Sequence, residues 1–186
     1  MRIIGGKFKG FKIKYPKLNT VRPTKDRIRE SVFNLVGNEY IFEKKVLDVF
    51  AGSGAYGFEA LSRGAKEITF IERNINCIKI IHDNIKRLSD NNNVINIVKK
   101  DFFKYIKDIY IKGNVFDLIF CDPPYNQNMA KNSLILISQY DILSTIGLFI
   151  IEHYIDEVLP DTLGDFFVLK RKFYKNIIIS IYKKNG

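Results

Sequence analysis

The sequence predicts an α/β fold: a mostly parallel seven-stranded sheet with helices on both faces, ending in an antiparallel hairpin and preceded by a short N-terminal hairpin and helix. Three observations carry that prediction. From Val46 onward, short apolar strand-like runs alternate with amphipathic helical ones. A glycine-rich turn, Gly52 to Gly57, follows the first of those strands. Near the end, Phe166–Phe173 and Asn176–Lys183 are separated only by Tyr174 and Lys175. That gap cannot hold a crossover helix, so the last pair must be antiparallel.

The elements follow in order. Arg2–Ile4 and Phe11–Lys14 flank a glycine-bearing turn and read as a hairpin. Thr24 can cap a helix from about Lys25 to Val36, with Ile28, Val32 and Leu35 on one face and Gly37 as its stop. Val46–Phe50 is the first parallel strand, and a short helix spans Gly57–Ser62. Glu67–Glu72 is a strand, and Asn76–Leu88 a helix with Cys77, Ile81, Ile85 and Leu88 on its apolar stripe. Val94–Val98, Phe116–Cys121 and Leu148–Glu152 are further strands, with helices near Phe103–Tyr110 and Ser133–Ile142 between them. The expected organisation is one domain, with residues 1–40 as a basic extension and 41–186 as the core.

Composition narrows the classes. Hydrophobic residues make up 46% of the 186 and charged residues 27%, an ordinary globular balance. Cys77 and Cys121 form neither a disulfide framework nor a zinc pattern, so no metal is expected and a reducing cytoplasm fits. Nothing approaches the length of a membrane span, and no apolar leader follows Met1. The formal charge is +10, of which residues 1–31 carry +8. A basic arm beside a near-neutral body suits an anionic polymer. Heavy use of Ile, Lys and Asn gives a competing compositional explanation for part of that charge.

The turn after the first strand reads Asp48-Val-Phe-Ala-Gly-Ser-Gly-Ala-Tyr-Gly57. Its glycines permit a tight turn and close approach of backbone to a ligand at the strand ends. Asp48 stands inside a strand that should be buried, where an unpartnered carboxylate is costly. The ammonium of S-adenosylmethionine would satisfy it, whereas a dinucleotide pyrophosphate would be repelled. The alternative is that Asp48 caps local backbone N–H groups. Glu72 ends the second strand at a spacing suited to ribose hydroxyls. Asp101 follows the third, placed to accept from an adenine amino group, with Phe102 to cover the base.

Asp122-Pro123-Pro124-Tyr125 follows the fourth strand and is the most specific signal in the chain. Two prolines make a stiff bend that holds the Asp122 carboxylate and the Pro123 carbonyl as fixed acceptors. Tyr125 can stack on a planar base. Such acceptors can aim the lone pair of a base amino group at an electrophile and stabilise the positive charge that develops. Asn126–Asn132 reads as a polar loop.

These residues resemble the RsmD-type small-subunit (16S) ribosomal RNA guanine-N2 methyltransferases. The resemblance rests on the Asp48–Gly57 loop, Glu59-Ala-Leu-Ser-Arg-Gly-Ala65, Glu72, Asp122–Tyr125, the start Met1-Arg-Ile-Ile-Gly-Gly-Lys7, and Arg22-Pro-Thr-Lys-Asp-Arg-Ile-Arg-Glu30. It implies a Rossmann-like class I methyltransferase that binds S-adenosyl-L-methionine and moves one methyl group to guanine N2 in an assembling small ribosomal subunit. On this reading Asp48, Phe50, Ala51, Gly52, Ser53, Gly54, Gly57, Glu72, Arg73, Asp101 and Phe102 hold the cofactor. Asp122, Pro123, Pro124 and Tyr125 act on the base. Arg2, Lys7, Lys9, Arg22, Thr24, Arg27 and Arg29 bind RNA. A monomer is expected. Tyr56 stands where similar sequences carry a small or aliphatic residue. The competing readings are transfer to adenine N6 or cytosine N4 in RNA or DNA, a dinucleotide-dependent oxidoreductase, and a non-catalytic RNA-binding assembly protein.

Overall fold

The computed structural model describes residues 1–16, 23–88, 94–124 and 128–185. Helix α1 (Pro23–Val36) and a 3-10 turn (Asn38–Tyr40) lead into β1 (Lys45–Val49), α2 (Ala55–Ser62), β2 (Glu67–Glu72) and α3 (Ile75–Leu88). Then come β3 (Val94–Lys99), α4 (Phe102–Ile111), β4 (Phe116–Cys121), α5 (Met129–Tyr140) and β5 (Leu143–Tyr154). The chain closes with β6 (Thr162–Leu163), β7 (Phe166–Tyr174) and β8 (Ile177–Lys184).

All eight strands join one sheet in the order β3-β2-β1-β4-β5-β8-β7-β6. The first five pair in parallel, and β8 returns antiparallel to β5 and β7. The expected fold class holds. The additional strand, β6, pairs through only two residues, too few for alternation to register in a sequence.

Side chains alternate along the strands, so each face gathers its own core. Val46, Ile68, Phe70, Leu118, Phe120 and Ile150 pack beneath α1 and α2, against Ile28, Val32, Phe33, Phe58 and Leu61. Leu47, Val49, Ile71, Ile119, Cys121 and Ile151 pack beneath α4 and α5, against Ile106, Ile109, Leu134 and Ile137. Cys121 is a core residue, and burial pushes its thiol up out of reach of thiolate chemistry.

Four local expectations are corrected. The N-terminal hairpin reduces to a single bridge, Arg2 with Lys12. Its neighbours instead bond to α2: the N–H groups of Ile4 and Gly5 donate to the Glu59 carboxylate at 2.8 Å, and Phe8 N–H donates to Ser62 Oγ at 2.9 Å. Helix α1 starts at Pro23, so Thr24 lies inside its first turn rather than at the cap. Proline is suited to that first position because its φ is already helical and its missing N–H would have no partner there. The buried stripe of α3 is Ile78, Ile81, Asn84 and Leu88, with Cys77 only half-buried. Asn84 turns inward because its amide accepts from Lys14 N–H at 2.8 Å and donates to Lys14 O at 3.0 Å.

The fourth correction concerns charge. Arg29, expected on the RNA face, is 2% exposed. Its guanidinium donates to Arg2 O at 2.7 Å and to Asp26 at 3.2 Å, and its Nε lies 3.8 Å from Glu59. It ties α1 to the N-terminal arm and presents no charge to solvent. Arg2, Lys7, Lys9 and Arg27 are exposed. Arg22 and the side chain of Thr24 lie outside the described residues.

Candidate active site

Parallel strands deliver their carboxyl ends to one edge of the sheet, where α/β proteins place ligands. A cavity of about 270 Å³ lies at that edge. The end of β1 supplies Phe50 and Gly52, and the end of β2 supplies Ile71, Glu72 and Arg73. Lys100, Asp101 and Phe102 follow β3, Asp122, Pro123 and Pro124 follow β4, and Met129 opens α5. Given the strand order, the acids run from Asp101 through Glu72 to Asp122 across the floor.

Each acid is held by local backbone. Glu72 accepts from Gly52 N–H at 2.8 Å and from Asn74 N–H at 2.7 Å. This pins the glycine turn to β2 while leaving lone pairs for a ligand. Asp101 caps α4 through Phe103 N–H at 3.0 Å and meets Arg73 at 3.2 Å. Gly52 adopts φ +56°, a left-handed conformation that favours glycine. At Gly57 the constraint is space, since a Cβ there would stand 2.3 Å from the Phe70 ring.

Asp48 is 3% exposed and accepts from Gly57 N–H at 2.9 Å. It sits beneath the turn rather than on the cavity wall, so the local-backbone role is present in the structure. Burial holds its pKa well above the usual carboxylate range; the Gly57 N–H opposes this, and Asp122 and Glu72 add to it. A raised folded-state pKa contributes stability below the unfolded value of about 4, lost as pH rises through the folded one. Asp48→Asn keeps an acceptor and removes that loss. The stability of the variant relative to wild type should therefore grow from about pH 4 towards neutrality. Parallel thermal-unfolding curves across that range would contradict this.

The structure thus gathers Phe50, Gly52, Glu72, Arg73, Asp101, Phe102, Asp122, Pro123 and Pro124 on one cavity. Ala51, Ser53, Gly54 and Gly57 shape the turn without lining the cavity, and Gly54 N–H closes it on Ala51 O at 2.7 Å. Tyr125 lies outside the described residues. Sequence reasoning missed Ile71, Lys100 and Met129. The first two adjoin residues that were singled out, and strand-end position alone could have found them. Met129 had no local signal.

Comparison with known proteins places this arrangement. The family model described as "Conserved hypothetical protein 95" matches residues 1–183. Over 161 residues the chain is 34% identical to ribosomal RNA small subunit methyltransferase D of Haemophilus influenzae, covering 86% of this chain and 81% of that protein. The chain belongs to the RsmD family. It is also 35% identical over 186 residues to YlbH of Bacillus subtilis, with both chains covered in full. The solved structure of yhhF from Escherichia coli, 29% identical, superposes with a TM-score of 0.87, covering 100% of this chain and 98% of that one. The RsmD-family fold seen here is that of the S-adenosylmethionine-dependent methyltransferases.

Proposed function

We propose that this RsmD-family chain is an S-adenosylmethionine-dependent methyltransferase that transfers one methyl group to the exocyclic N2 of a guanine in small-subunit ribosomal RNA. One observation carries the reading: the Asp122-Pro123-Pro124 bend lines the same cavity as Gly52, Glu72 and Asp101. The relative in Haemophilus influenzae is named for small-subunit ribosomal RNA, which supports the substrate class. Residues 1–40 serve as the RNA-facing extension and 41–186 as the catalytic core, acting as a monomer on an assembling subunit in the cytoplasm. Among the described residues no helix is long and apolar enough to cross a membrane.

The residues fit the cofactor. Glu72 suits ribose hydroxyls, Asp101 an amino group on a purine, and Phe50, Ile71 and Phe102 a flat apolar ring. The Gly52 N–H already donates to a carboxylate, which leaves a poor cradle for a pyrophosphate. When bound, S-adenosylmethionine supplies a methyl group made electrophilic by a positive sulfur. Asp122 and the Pro123 carbonyl accept from the amino N–H bonds of the base, which turns the nitrogen lone pair out of conjugation and towards that methyl. As the C–N bond forms and the C–S bond breaks, the nitrogen gains positive charge beside the Asp122 carboxylate. The proton it then loses passes to Asp122 or to water.

Mapping methylated nucleotides in ribosomal RNA from cells lacking and regaining the protein tests the reading. One restored N2-methylguanosine in the small-subunit RNA is the expected result, and an unchanged modification map would refute it. The exposed arm gives a separate expectation. Replacing Arg2, Lys7 and Lys9 together by Ala should weaken RNA binding and reduce the salt slope by about 0.7–0.9 for each phosphate that is no longer neutralised. An unaltered salt slope would remove the arm from the RNA interface.

A further inference from the structure

We propose that Glu152, held by Tyr56, is the residue that selects guanine, accepting the N1–H of the target base while Asp122 accepts from its N2 amino group. This rests on the guanine-N2 reading above and deepens it.

The geometry starts from register. Cys121 on β4 is opposite Ile151 on β5, so Asp122 and Glu152 are the next residues along neighbouring parallel strands. Two residues earlier, Phe120 and Ile150 both face the α1/α2 core, and the alternation carries Asp122 and Glu152 to that same face. Tyr56, at the start of α2, lies flat on Phe120, with centroids 5.0 Å apart and planes at 22°. Its hydroxyl donates to Glu152 at 3.2 Å. Burial raises the Tyr56 pKa well above its ordinary value, and Glu152 and then Asp122 raise it further. Both carboxylates therefore lie within electrostatic reach of one phenol.

Glu152 is 5% exposed, in a place where a carboxylate is expensive to bury. The phenol engages one of its oxygens, and a carboxylate offers about four lone-pair sites. Guanine makes use of such a group. Its N1–H is a donor adjacent to the N2 amino group, so a second carboxylate beside Asp122 meets a second hydrogen. Adenine and cytosine carry an acceptor lone pair beside their amino group. In either, that lone pair would face the Glu152 oxygens. Asp122 alone serves any amino group; Glu152 supplies the discrimination. Tyr56 acts through Glu152 as a positioning residue, by fixing which oxygen is turned to the base.

The test compares small-subunit RNA carrying guanosine at the target position with RNA carrying 2-aminopurine there. 2-Aminopurine keeps the amino group but offers an acceptor at N1. Wild-type protein should methylate the guanosine substrate at least about 100-fold faster in kcat/KM, as expected where a buried acceptor is left facing the wrong partner. Glu152→Gln can turn its amide N–H towards N1, so the preference should fall below about tenfold. Tyr56→Phe should lower the preference by a smaller factor and leave cofactor affinity unchanged. Equal wild-type rates on the two substrates overturn the assignment, as does a folded, cofactor-binding Glu152→Gln protein that keeps the full preference. If Glu152→Gln does not fold, the wild-type ratio and Tyr56→Phe decide. Transfer to adenine or cytosine with none to guanine sinks the guanine reading itself, an outcome distinct from equal rates on the two purines.

Discussion

Asp122→Ala is expected to bind S-adenosylmethionine as wild type does and to lose about 10²–10³ in turnover, the scale seen when one preorganised polar group facing developing charge is removed. The cofactor rests on β1, β2 and β3, through Gly52, Glu72 and Asp101, so a change after β4 leaves most of its binding surface in place. The base amino group is a weak nucleophile until its lone pair leaves the ring, and its charge appears only in the transition state. A loss confined to that state lowers kcat with little effect on substrate affinity. Asp122→Asn keeps one acceptor oxygen without the charge and should lose less. Calorimetric titration with the cofactor and single-turnover methylation read the two halves of this result. Methylation by Asp122→Ala within a few-fold of wild type would remove the carboxylate from the chemistry.

Residues that contradict their local surroundings were the ones legible in sequence. Asp48 in an apolar strand, acids closing successive strands, and two prolines after a fourth strand all conflict with burial or with propensity. Such conflicts persist where a ligand or a specific bond compensates them. The elements were legible for the opposite reason, because periodicity and turn residues agree along most of the chain. What failed to register depends on partners distant in sequence. Arg29 reads as one more cation of a basic arm until Glu59 and Arg2 O close around it. Asn84 reads as the polar edge of α3 until Lys14 arrives beside it. Tyr56 departs from the usual residue at its position, but its meaning depends on Glu152, which reached the same place on another strand. Strand order decides that meeting, and no local pattern encodes strand order.

Glu59→Ala should have the largest effect on stability, although Glu59 touches neither the cavity nor the exposed arm. It is fully buried, at 0% exposure, within α2. One oxygen accepts from Gly5 N–H at 2.8 Å and from Arg63 Nε at 3.0 Å, and the other accepts from Ile4 N–H at 2.8 Å with Arg29 Nε 3.8 Å away. One carboxylate therefore joins the N-terminal arm, α1 and α2. Removing one partner of a buried pair leaves an uncompensated charge and costs about 3–5 kcal/mol, where an exposed pair is worth at most about 1. Arg63 can turn outward into water, which moderates the cost. Arg29, 2% exposed, cannot, although it retains Asp26 and Arg2 O. Two backbone N–H groups lose their acceptor as well, which adds to the loss. In urea the unfolding midpoint of Glu59→Ala should fall by an amount equivalent to about 3–5 kcal/mol, and RNA affinity should drop with it as the arm detaches. A loss below about 1 kcal/mol would place Glu59 with ordinary surface pairs and leave the arm held by its backbone bridge and by Ser62.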